Sequence, residues 1–85
     1  MKKPATVSKL TELLGWYGAT AILVAYALVS TGVVSPHSWQ YQLLNLTGSL
    51  GILAISLAKR AKQPAVLNIV WAAVALVALV GMAIK

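Results

Sequence analysis

Few side chains in this 85-residue chain can do covalent or proton chemistry, and their spacing limits what they can do. Glu12 is the one carboxylate side chain and His37 the one imidazole; aspartate and cysteine are absent. That inventory offers no general acid–base pair, no nucleophile beside its base and no converging set of metal ligands. The expectation is a protein that is not an enzyme and takes no cofactor and no metal. A carboxylate relay for ion pumping is excluded on the same ground, because Glu12 lies at the edge of an apolar segment rather than deep within it. His37 reads as a solvent or interfacial side chain.

What remains is hydrogen-bonding and packing chemistry. Asn45, Ser49, Asn68, Tyr26 and Trp71 stand among Leu, Val, Ile and Ala, while Gly15, Gly18, Gly48 and Gly51 recur at helical spacing. Small residues at intervals of three and four let helix backbones approach closely, and an amide in an apolar setting must find a partner. These nine residues are the candidate packing or binding positions. In the first segment Gly15, Gly18, Ala19, Ile22, Ala25, Tyr26 and Val29 form one face, with the Tyr26 hydroxyl expected to meet a partner there. Asn45, Ser49, Ile52 and Ser56 form a stripe on the second, beside Gly48 and Gly51. Asn68, Trp71/Ala72, Ala75, Leu79 and Met82 form a stripe on the third. Trp71 is expected to be buried, as a packing residue or as the wall of a cavity.

The elements that hold these residues follow from composition. Hydrophobic residues make up 60% of the chain and charged ones 9%, and no charged side chain occurs between Glu12 and Lys59. A stretch of that length is far beyond the roughly 18 apolar residues that mark a membrane span. The reading is an all-α membrane protein with one domain over residues 1–85. It has a polar tail at 1–12, three transmembrane helices at about 13–34, 39–58 and 64–84, and short connections. Ser8 should cap the first helix, with Glu12 in its opening turns. Thr31-Gly32 should end it. Ser35-Pro36 should start the second, with serine at the cap and proline at the first helical position, and Pro64 should open the third. Trp16/Tyr17 and Trp39/Tyr41 mark the two interfaces. The Ala25-Tyr-Ala27 run imitates a secretory cleavage site, but residues 28–34 continue apolar, so a retained span is expected.

Net charge is +6, and six of the seven basic residues fall in two places: Lys2, Lys3 and Lys9 before the first span, and Lys59, Arg60 and Lys62 between the second and third. Clusters so placed orient spans; they do not read as a nucleic-acid surface. The connection at 32–38 carries no formal charge. The expectation is N-inside and C-outside in a bacterial cytoplasmic (inner) membrane, multi-pass, with the lipid bilayer as one partner and no nucleic acid.

Four spaced motifs, Gly15-Trp-x-Gly-Ala, Ala25-Tyr-x-Leu-x-Ser30, Tyr41-x-x-Leu-Asn45-x-x-Gly-Ser49 and Pro64-x-x-Leu-Asn68-x-x-Trp71, run in order through the chain. Together they resemble the CBU-like family of short, uncharacterised bacterial three-helix membrane proteins, from Gly15 to about Val80. The resemblance implies a three-helix inner-membrane unit and brings no activity with it. A looser similarity, in layout and in the Asn68/Trp71 pairing, is to three-helix half-transporters of the SemiSWEET type. Those proteins carry a kinking Pro-Gln pair inside their first helix, whereas Pro36 and Pro64 here stand at helix starts. The functional expectation is action through helix–helix association, as an accessory or structural subunit of a larger membrane complex or as a homo-oligomer. The alternative is an oligomeric half-transporter or small channel.

Overall fold

The computed structural model describes residues 7–85 and contains three helices, α1 (Lys9–Ser30), α2 (Trp39–Ala58) and α3 (Lys62–Ala83). Lys2 and Lys3 lie outside the described residues. At about 1.5 Å per residue each helix is about 30 Å or longer, and all three are long and apolar enough to cross a membrane.

Each boundary has a local cause. Ser8 caps α1, its Oγ accepting from the Thr11 N–H at 3.1 Å, with Glu12 in the first turn. The helix ends in a Schellman motif: Gly32 sits at φ +78°, its N–H bonds the Val29 carbonyl, and the Val33 N–H bonds the Leu28 carbonyl. Helix α1 therefore stops at Ser30 rather than continuing to 34, because the left-handed glycine turns the chain away. Ser35 and Pro36 do not start α2. They form a turn in which the Ser38 N–H bonds the Ser35 carbonyl, with proline at the position its fixed φ suits, and Ser38 is the true cap, accepting from the Tyr41 N–H. Helix α3 begins at Lys62, two residues ahead of the expected start. Pro64 is tolerated there because its missing N–H is still one of those without an intrahelical acceptor.

Helix α2 also ends in a Schellman motif, but with Arg60 in the glycine position at φ +57°. The Arg60 N–H bonds the Leu57 carbonyl at 3.1 Å and the Ala61 N–H bonds the Ser56 carbonyl at 2.8 Å. A left-handed residue with a Cβ is strained by about 1–2 kcal/mol.

Both flanking helices pack on α2 and make no contact with each other. The arrangement is an open row with α2 in the middle. Its fully buried hydrophobic residues are all alanines, Ala21, Ala25, Ala65, Ala72 and Ala75; Ile22, Ile52 and Ile55 are half-buried, while many of the leucines and valines and all three tryptophans are exposed. Such an inside-out distribution suits surroundings as apolar as the side chains themselves, where helices pair through small residues instead of through apolar burial.

Candidate helix-association site

The seam between α1 and α2 is built on glycine. A Cβ added at Gly18 would strike the Gly48 carbonyl oxygen and come within 2.8 Å of the Ile52 nitrogen. One at Gly51 would strike the Leu14 carbonyl oxygen, and one at Gly48 would lie 3.0 Å from Ile22 Cγ1. At Gly15 the added atom would sit 2.9 Å from Ile55 Cγ2. The structure thus brings all four expected glycines to this seam: Gly18, Gly48 and Gly51 meet backbone across it, and Gly15 faces the Ile55 side chain. A single hydroxyl pair borders it, Tyr17 Oη to Thr47 Oγ1 at 2.5 Å. Thr47 gives its proton to the Leu43 carbonyl at 2.9 Å, so the tyrosine is the donor to threonine. Sequence alone marks Tyr17 only as an interfacial aromatic; the helical level it shares with Thr47 depends on the packing register, which no spacing within α1 reveals.

Tyr26 is a correction. It is 71% exposed and lies off the seam. One residue beyond the buried Ala25 rotates a side chain by about 100°, and a contact at backbone distance leaves no room for a phenol ring.

The seam between α2 and α3 differs in kind. From α3 it takes the stripe Ala65, Asn68, Ala72 and Ala75; from α2 it takes the polar residues Asn45, Ser49 and Ser56. Ser49 is 0% exposed and its Oγ has no hydrogen-bond partner. A helical hydroxyl commonly turns back to the carbonyl four residues earlier, as Thr47 does, but Ser49 does not. Asn68 makes no side-chain hydrogen bond across helices among the described residues. Instead its Nδ2 donates to the Pro64 carbonyl at 2.8 Å within α3, so its amide is partly satisfied at home.

Asn45 is the exception that defines the site. It is 9% exposed, makes no side-chain hydrogen bond among the described residues, and lines an open groove of about 310 Å³ between α2 and α3 with Tyr41, Gln42, Trp71 and Val74. Trp71, expected to be buried, is 49% exposed because it forms this groove's wall. Gln42 is not among the expected site residues; its Nε2 is held by the Pro36 carbonyl at 3.2 Å, so the turn before α2 fixes one edge of the groove. Two aromatic rings, two amides and valine make a surface that can stack, donate and accept.

Apart from Lys85, the described basic residues gather at the other end. Lys59 ends α2 and Lys62 begins α3, on either side of Arg60, and Lys59 shares a shallow groove with Glu12 and Trp16 from the start of α1.

A family model matches residues 11–85, nearly the whole described chain, and the chain belongs to the uncharacterised, bacterial CBU-like family. No curated protein and no solved structure matches it.

Proposed function

We propose that this CBU-like protein is a small bacterial inner-membrane protein that acts through helix association, with the α2–α3 groove as the associating surface and a second copy of the chain as its first occupant. The observation carrying this reading is the Asn45 amide, nine-tenths buried yet unpartnered among the described residues, on the lip of an open groove. In hydrocarbon an unpaired amide costs several kcal/mol, so it gains by meeting another polar group. A carboxamide carries both donors and an acceptor and is complementary to itself, so two grooves related by a twofold axis let Asn45 bond Asn45. The same surface would serve an accessory subunit docking on a larger membrane complex.

Orientation follows from charge. The basic end is placed in the cytoplasm, giving N-inside and C-outside, because short loops rich in Lys and Arg remain there. A reporter fused after Lys85 is expected to read periplasmic; one active only in the cytoplasm would overturn this orientation.

Asn45→Leu tests the association. The variant is expected to keep its helices while the oligomer in mild detergent loosens by about 1 kcal/mol, measured as a shift in dissociation with dilution. Unchanged association would remove Asn45 from the interface. A second reading, the oligomeric half-transporter or small channel, is favoured by one feature: Asn45 and Trp71 line the same groove, which a facing copy could close into a pore. Under that reading Asn45→Leu keeps the assembly intact and abolishes solute binding or uptake.

A further inference from the structure

The α2–α3 connection carries a second groove, at the opposite end of the same seam. It has a volume of about 480 Å³, and its lining includes Ser56, Arg60, Lys62, Ala65, Val66 and Ile69. The polar and apolar parts are separated along its length. Arg60 and Lys62 flank the mouth, while Ala65, Val66 and Ile69 continue down α3 for about 6 Å. Three further features point to an anion at that mouth. Ala61, at the N-cap of α3, provides no side-chain cap, so the N–H groups of Lys62 and Gln63 are not bonded by one, and a helix N-terminus attracts negative charge. Ser56, only 5% exposed, makes no side-chain hydrogen bond among the described residues and lines the groove with its hydroxyl free to donate. Arg60 holds a left-handed conformation where glycine would be unstrained, so a cation stands at this position despite its backbone cost.

We infer that this groove binds an anionic phospholipid, its phosphate held by Arg60, Lys62 and the start of α3 and one acyl chain lying along Ala65, Val66 and Ile69. The inference rests on the membrane reading above but not on the Asn45 interface. Charge complementarity selects the headgroup, and the apolar floor selects a lipid over a free phosphate. The guanidinium and the ammonium act differently on that phosphate. The first can bond two of its oxygens in a plane, and the second supplies a mobile point charge.

The test uses the full chain purified in mild detergent, titrated with phosphatidylglycerol or phosphatidylcholine of matched acyl chains, with bound lipid counted by native mass spectrometry. The parent is expected to prefer phosphatidylglycerol, and loss of either cation to reduce that preference about fivefold. Arg60→Gly is the informative variant, since glycine accepts φ +57° freely and fold and melting should hold or improve while lipid preference falls. Lys62→Gln should lose a similar factor. Lys9→Gln, which removes a charge at the α1 start, should lose none. Equal binding of both lipids, equal loss with Lys9→Gln, or displacement of phosphatidylglycerol by millimolar inorganic phosphate would each overturn the inference. Extraction of the chain from membranes by alkaline carbonate would instead retire the membrane reading on which it rests.

Discussion

The two seams of α2 differ in completeness. Against α1, the middle helix presents Gly48 and Gly51 to Gly18, and backbone meets backbone with no space for even a methyl group. Against α3 it presents Asn45, Ser49 and Ser56 to the stripe of Ala65, Asn68, Ala72 and Ala75, and leaves the Ser49 hydroxyl orphaned, the Ser56 hydroxyl unbonded among the described residues and the Asn45 amide facing an open groove. The first contact is closed and needs nothing further. The second holds polar groups that packing alone does not need and that intrachain bonding does not use. Alanine pairs would have packed as closely without the desolvation cost of a buried amide. The difference separates a seam with no space left in it from one that keeps an open groove beside a buried amide.

The largest expected effect breaks the closed seam. Gly18→Leu must push apart two backbones that now touch, and should cost about 3 kcal/mol or more in detergent unfolding followed by helical circular dichroism. Gly81→Leu, where nothing lies within 4 Å, should change stability by less than about 0.5 kcal/mol. If both glycine variants behave alike, the close approach of α1 to α2 is wrong. A smaller contrast comes from deleting one hydroxyl on each seam. Tyr17→Phe removes the donor to Thr47 and should cost about 0.6 kcal/mol, the usual worth of a hydrogen bond between membrane helices. Ser49→Ala removes an oxygen with no partner and should be neutral or stabilising, by up to about 1 kcal/mol, in the same unfolding assay. A destabilising Ser49→Ala would mean that the hydroxyl is satisfied in the assembled protein.

Much of this is legible in the residues. Two long uncharged runs, 13–58 and 63–84, the first divided by the Gly and Pro of residues 32–36, read as three helices, because a backbone placed in lipid must bond within its own segment. Gly15, Gly18, Gly48 and Gly51 announce a close contact, since small residues at that spacing have little other use between membrane helices. Turn chemistry is harder. Ser35-Pro36 and Ser38 both fit a helix start, and only the bonds around Ser38 decide between them. Spacing misplaces Tyr26 because adjacent residues on a helix differ by about 100°, so a stripe carries its neighbours along with it. It leaves the partner of Asn68 open because a side-chain amide can bond its own helix, as this one does, an option spacing does not exclude. The groove itself is out of reach of sequence: it depends on how far α3 lies from α2 and on which residues stand level across the seam.

The central claim is that the Asn45 groove is covered by a second copy of the chain. The absence of cysteine makes the direct measurement clean, because each introduced thiol is the only one present. Val74 lines the groove and is 63% exposed, whereas Leu23 is 67% exposed on α1 and lines neither groove. Val74→Cys and Leu23→Cys, expressed in membranes and treated with a short bismaleimide, should give a crosslinked dimer at Val74 and none at Leu23. Equal crosslinking at both positions, or a dimer at Leu23 alone, would contradict the account.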